Sequence, residues 1–597
     1  MALRTLTIDL ERGLARQQLP ATVERDYLGG RGAVAWLLWH HLPPETPPMA
    51  PENLLIFAAG PLAGTGAFAT GGFVVGTRSP LTGAIGYSWA QGHWGAALRQ
   101  AGYDVLVVRG QAPDWVYLFI DGNQVRMRPA THLVGCDTVA TAAALRAELG
   151  NDVVVACLGP AGEAEVAYAS IVAEGRYMAE PAGTGVVMGA KKLKAIAIRP
   201  GTPVVSPDPR RLAAALDSIR HRVETSPLAA DLTRSGSAYF LDHAKTHGAL
   251  TAHNGRDNDL PPSLATASEE LAQRRTGNWG CAGCPMPCYF ATQLRPGEQA
   301  PLPGLELVAG FGARCGLTSL DTLTHLADRC LRLGLDPAAT SAAVAFLMEC
   351  QADQLSRTPT LPWGDAEAVI AAVERLGARQ EKRDVLSLGV GEMQEIFWGS
   401  AAFAPQVKGL AMPALDPRAL PEVALAMATA PIGGDYRYAM TYEELVPEPP
   451  AWLPDEPTHP QGVKGKLMRL IWHERFAAVL DAVGMCRRLG LMGYQIAPGE
   501  LLALTTAATG IAMSGTEMAR IGERIITLER LFARRYADNG ARDELPARWR
   551  KEPLATGRAA SHLPQFTDLI KEYYRRHGWN LEGDPTPERL AELGVKL

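Results

Sequence analysis

The hydrophobic positions change period about a third of the way along the chain. Up to about residue 205, short apolar runs sit between Gly, Pro and Asp, as in "NLLIFAAG", "GGFVVGTRSP", "YDVLVVRG", "DWVYLFIDG" and "DVVVACLGP". Runs of that length, rich in β-branched and aromatic residues and bounded by turn formers, predict strands. "KKLKAIAIRP" predicts the last of them. Two stretches, "GGRGAVAWLLWHHL" and "WGAALRQAG", take helical spacing after glycines. From Pro207 onward the spacing turns helical. "SPDPRRLAAALDSIRHRVE" has a Ser/Asp start and Pro in its first turn. "SLDTLTHLADRCLRLGLDPAATSAAVAFLMECQ" predicts two helices, Gly334 ending the first and Asp336–Pro337 opening the second. "AEAVIAAVERLGARQ", "RDVLSLGVGEMQEIFWG", "GKLMRLIWHERFAAVLDAVGMC", "GTEMARIGERIITLERLFARRY" and "FTDLIKEYYRRHGW" predict more helices. A Pro-rich linker, Val446 to Gln461, interrupts them. No repeat recurs at a fixed period.

The pattern predicts an α+β chain: a β-rich N-terminal domain over residues 1–205, a helical domain over 206–415 and a C-terminal helical domain over 416–597. With 597 residues, core supply is not limiting. A net charge of −5 gives no electrostatic case for nucleic acid. "MALRTLTIDLERG" has charges where a signal peptide has an apolar stretch, and no apolar run is long enough to span a bilayer. A cytoplasmic location is expected. Nine Cys in such a length are not a disulfide scaffold. Cys136, Cys157, Cys315, Cys330 and Cys350 lie in apolar surroundings and are expected in the core.

The remaining cysteines carry the chemistry. "GNWGCAGCPMPCYFATQ" packs Cys281, Cys284 and Cys288 with the spacing C-x2-C-x3-C. A zinc ribbon needs a second CxxC, which is absent. A [4Fe–4S] cluster takes a tight group of three plus one distant Cys. Pro285 and Pro287 stop a regular helix there, so the loop is expected to wrap a cluster. Cys486, in "LDAVGMCRRLG", follows a helix and a Gly and stands out as fourth ligand. Trp279, Tyr289 and Phe290 flank the loop and would exclude water. Arg487 and Arg488 read as a solvated pair, with docking of an acidic carrier as the other reading.

Beyond that loop, the chain resembles the tungsten-containing aldehyde:ferredoxin oxidoreductases over nearly its whole length. The resemblance rests, in order, on "YLGGRGAVAWLL", "PENLLIFAAGPLAGT", "RSPLTG", "AGYDVLVVRG", "LGPAGE", "GVVMGAKKLKAIAI", "CAGCPMPC", "QVKGLAMPALDPR", "ATAPIGGD" and "DAVGMC". It implies a base domain of two β-sheets capped by two helical domains. It implies tungsten between two molybdopterin dithiolenes, a [4Fe–4S] cluster held by Cys281, Cys284, Cys288 and Cys486, and electrons passed to ferredoxin or a partner subunit. The pterin-contacting motifs, of form D-x-x-G-L-(C/D), carry over to Gly334, Leu335 and Asp336 and to Asp481, Gly484 and Met485. Gly92, Ala182 and Gly183 are the matching pterin-loop positions. Glu306, in "LPGLELVAGFG", is the expected catalytic acid, activating water or accepting a proton as an aldehyde is oxidised to an acid. Family members are often dimers.

The departures from that pattern share one direction. Leu331 opens the first pterin motif where an acid or amide is usual, and Pro181 stands where an Arg is expected. Gly72 lies in a stretch that usually carries an Arg, Trp89 takes the place of an Asn, and Tyr436 takes that of a metal-pocket His. Cluster ligands are kept and pterin ligands thinned. Two readings follow: a tungstopterin oxidoreductase of small aldehydes, or a relative that lacks the tungstopterin and keeps the cluster for electron transfer or as a scaffold.

Overall fold

In the computed structural model, residues 2–281, 283–378, 384–454, 464–536, 542–560, 563 and 566–596 are described. Residues 455–461 of the Pro-rich segment, 379 and 380 at the end of one expected helix and 383 at the start of the next lie outside these ranges.

The apolar runs of the first 200 residues become twelve strands in two mixed six-stranded sheets. They are β1 (Arg4–Asp9), β2 (Gly13–Gln18), β3 (Leu55–Ala58), β4 (Phe73–Arg78), β5 (Ile85–Ala90) and β6 (Val105–Arg109), then β7 (Val116–Asp121), β8 (Gln124–Pro129), β9 (Val154–Leu158), β10 (Ile171–Ala173), β11 (Tyr177–Ala179) and β12 (Leu193–Arg199). The first sheet runs β2-β1-β6-β3-β4-β5 and the second β11-β10-β9-β12-β7-β8. Only β1–β6 and β7–β12 pair in parallel. β3 and β4 are buried at every position, as near-continuous apolar runs require when both faces are covered. β2 and β8 are polar edge strands open to solvent, which protects the sheet ends from further pairing. Trp94, at the start of the helix Trp94–Gln100, packs on Phe57 and Phe73 of the first sheet. Its indole N–H donates to the carbonyl of Ile196 in the second at 3.2 Å, tying the two sheets together.

The helical half follows its predicted caps. Asp336 accepts from the N–H groups of Ala338 and Ala339, opening Pro337–Ala352, and Gly334 closes Leu320–Leu333 at φ +73°. The run "RDVLSLGVGEMQEIFWG" does not form one helix. Gly389, at φ +80°, divides it into a 3-10 turn, Val385–Leu388, and a short helix, Val390–Ile396. Cys157, Cys315, Cys330 and Cys350 are buried as expected, whereas Cys136, in the loop before the helix Thr138–Leu149, is only half-buried.

The helix Lys464–Val483 packs between Gly515–Tyr536 and Gly30–His41. A Cβ on Gly30 would stand 2.0 Å from the carbonyl oxygen of Asp481, so glycine there allows backbone to lie against backbone. That contact brings the C-terminal segment 481–486 onto the N-terminal base. Among the described residues no helix is long and apolar enough to cross a membrane.

Candidate active site

Cys281, Cys284 and Cys288 occupy the connection between two paired strands, Arg275–Asn278 and Phe290–Arg295. No helix forms across Pro285 and Pro287. The loop is pinned at its neck, where Trp279 N–H donates to the carbonyl of Tyr289 at 3.0 Å and the Tyr177 hydroxyl donates to that of Trp279 at 2.6 Å. Cys486 arrives from the other side. Its helix ends at Val483, Gly484 turns the chain at φ +80°, and Cys486 N–H donates to the carbonyl of Ala69 at 2.9 Å. All four sulfur residues line one cavity of about 190 Å³.

The cysteines are chemically a set. Burial, then the neighbouring thiolates, pushes Cys486 up to about 12 and raises Cys284; burial and then Cys288 take Cys281 up to about 11. Four anions crowded out of water are unfavourable until a cation takes their charge, and iron does so by binding thiolate directly. Backbone N–H groups of Gly92 and Leu489 favour the thiolates of Cys281 and Cys486. The donor set therefore fits a [4Fe–4S] cluster.

The same cavity reaches Glu306, whose carboxylate is held by the Tyr436 hydroxyl at 2.6 Å and by Ala414 N–H at 2.9 Å. Tyr436 and Tyr442 hydroxyls lie 3.2 Å apart. Two further charged lining residues, Glu180 and Arg437, escaped the sequence reading. Burial and then Asp336 push Glu180 up to about 7, against the pull of Arg437 at 3.0 Å. The expectation of a solvated arginine pair was wrong. Arg487 is 1% exposed and Arg488 faces the cavity beside Cys288 and Cys486, because the turn after Gly484 points both inward. A "GMCRR" after a helix carries that signal only once Cys486 is known to point inward.

The side of the cavity where the resemblance places the pterins is partly filled by protein. The space beside Asp481, Gly484 and Met485 is small, about 30 Å³. Trp89 and the Arg487 guanidinium, stacked 3.6 Å from its ring centre, occupy that side.

Several polar groups there are engaged within the protein, although Arg487 Nη2 is buried without a hydrogen-bond partner. Asp481 accepts from the Tyr87 hydroxyl and pairs with Arg31 at 3.4 Å and Arg487 at 3.1 Å. Asp336 caps its own helix, and Leu335 is fully buried. The Ala182 carbonyl takes the Ser79 hydroxyl at 3.1 Å. A Cβ on Gly92 would strike Glu174 and Tyr177, and one on Gly183 the carbonyl of Ala167 at 2.2 Å. Gly334 and Gly484 likewise meet protein backbone at about 3 Å. The structure thus brings Cys281, Cys284, Cys288, Cys486 and Glu306 to one cavity. It leaves Gly92, Ala182, Gly183, Gly334, Leu335 and Asp336 outside the lining and turns Asp481 inward.

Comparison with known proteins matches the profile described as aldehyde ferredoxin oxidoreductase, N-terminal domain, to residues 5–200. The profile for domains 2 and 3 of the same proteins matches residues 214–595. A tungsten-containing aldehyde ferredoxin oxidoreductase of Pyrococcus furiosus is 30% identical over 604 residues, covering 99% of this chain and 98% of the relative. The WOR-like subunit of an aliphatic sulfonate oxidoreductase from the same organism is 24% identical, covering 99% and 96%. A solved chain of the benzoyl coenzyme A reductase active-site complex BamBC, with 1,5-dienoyl-CoA, superposes with a TM-score of 0.86 at 27% identity, covering 100% of this chain and 98% of that one.

Proposed function

The chain belongs to the aldehyde ferredoxin oxidoreductase family of oxidoreductases, and from that premise we propose that it is a cluster-only member, moving single electrons through a [4Fe–4S] centre. The observation that carries this reading is the pairing of four converging cysteines with a pterin side occupied by the Trp89–Arg487 stack. When bound, the cluster supplies a one-electron couple. The residues of this chain set its surroundings. Arg488 places a cation beside Cys288 and Cys486, favouring the reduced cluster. Trp279 and Phe290 keep water from one side. Gly283, within the cysteine loop, is exposed, so that loop is the side on which a ferredoxin or an electron-transfer subunit would approach the centre.

A second reading is oxidation of a small aldehyde to a carboxylic acid at a tungsten–bispterin centre. It is favoured by Glu306, an acid held by two hydrogen bonds at the cavity wall, suited to move a proton. Metal analysis of anaerobically purified protein separates the two. The cluster-only reading expects about four irons and four sulfides per chain with neither tungsten nor molybdenum. Tungsten or molybdenum at one per chain, with an extractable pterin, overturns it in favour of the second.

A further inference from the structure

A second group of ligand-type side chains lies behind the tyrosine wall of the cavity, and nothing in the cluster chemistry uses it. Glu422 stands in the first turn of the helix Pro421–Thr429, Glu443 in the 3-10 turn Glu443–Leu445, and His473 midway along Lys464–Val483. All three are buried, at 0%, 4% and 0% exposure. One ligand atom from each lies within 4.8 Å of the others.

Part of the group is satisfied. A ring nitrogen of His473, Nδ1, is 2.8 Å from Glu422 Oε1, and its Nε2 is 3.1 Å from the Tyr494 hydroxyl. Glu443 Oε1 accepts from Arg469 at 3.0 Å. The second oxygen of each carboxylate, Glu422 Oε2 and Glu443 Oε2, is buried with no donor reaching it; the two carboxyls contact each other, and burial takes both up to about 8. A carboxylate oxygen removed from water and left unpaired is costly, and two adjacent ones are costlier because they repel. Lys466 pairs with Glu444 instead, so the nearest lysine is engaged elsewhere.

We propose that Glu422, Glu443 and His473 hold a divalent transition-metal ion of the zinc class, bridging the two unpaired carboxylate oxygens. Two carboxylates and one imidazole suit a borderline ion. Soft copper(I) seeks thiolates, and magnesium or calcium take all-oxygen shells. The ion would pin three segments at once, among them the helix whose far end presents Cys486.

The test uses the full-length protein with its cluster. Zinc, manganese and iron are measured together, and sulfide counts the cluster independently. One extra ion per chain is expected beyond the cluster iron, lost in Glu443→Gln and in His473→Gln while sulfide stays at the wild-type level. Should a variant fail to fold, wild-type protein stripped by a chelator is titrated with Zn²⁺. Uptake of one equivalent with a raised melting temperature supports the site. No extra ion and no Zn²⁺ uptake in the wild type, or an extra ion retained in both folded variants, overturns it.

Discussion

Two ends of one short motif have gone different ways. In "DAVGMC", Cys486 turns into an open cavity with three other thiols, while Asp481, five residues earlier, is enclosed by Arg31, Arg487 and Tyr87. The motif is nearly intact at both ends; the surroundings differ. Around Cys486 the neighbouring side chains leave room and the backbone supplies the N–H of Leu489. Around Asp481 they supply cations and a hydroxyl, so the carboxylate has partners without any ligand. On the cluster-only reading, a site closes when its neighbours satisfy its polar groups, even while the groups themselves remain.

The largest expected effect is at the open end. Cys486→Ser should lower bound iron from about four per chain to a small fraction, because hydroxyl is a poor substitute for the distant thiolate. Unchanged iron would break the comparison at its first term. The closed end should respond in stability instead. Arg31 is fully buried, bidentate to Glu529 with both contacts at 2.8 Å, and stacked over Tyr438. Arg31→Ala leaves Glu529 buried without its cation and Asp481 with Arg487 alone. A loss of about 3–5 kcal/mol in unfolding free energy is expected by urea denaturation, with iron content unchanged. An unaltered urea midpoint would show that Asp481 is not part of the structural network and return it to the cofactor ligands.

How much of this was legible beforehand differs between the two ends for a physical reason. Cysteine spacing is local and has few chemical uses, so Cys281, Cys284 and Cys288 announced their role, and the Gly before Cys486 marked a turn after a helix. Caps are equally local: Gly334 and Asp336 could be read as stop and start. The closing of the pterin side was half visible, in Trp89 and Pro181, as missing partners. What replaced them was not. Arg31 and Glu529 are 498 residues apart and meet only because the helices Gly30–His41 and Gly515–Tyr536 pack together. The same holds for Tyr436, noticed as a lost His, which in the structure holds Glu306 from 130 residues away. The Glu422–His473 contact spans 51 residues and has no motif at all. Long-range polar pairing has no period along a chain, so no pattern reveals it.

The smallest expected effect turns on sign. Burial raises Asp481 above its usual range although Arg487 and Arg31 pull the other way. Burial would also raise Asp543, but there Lys408 and Arg530 outweigh it and hold the carboxyl at about 2. An acid raised by folding favours the folded state while protonated, so Asp481 costs stability as pH rises above 3.8. An acid lowered by folding does the opposite. Asp543 contributes stability above its unfolded value of 3.8, lost as pH falls towards about 2. The difference is worth about 2 kcal/mol. Urea midpoints of wild type, Asp543→Asn and Asp481→Asn across the acid range should therefore diverge. The gap between wild type and Asp543→Asn should close as pH drops. Asp481→Asn should differ with the opposite sign: wild type gains on the variant as pH falls towards 3.8 and changes no further below it; if wild type loses ground to Asp481→Asn below 3.8, burial has not overridden the arginines at Asp481, and the contrast between an enclosed carboxylate and an ion-paired one fails.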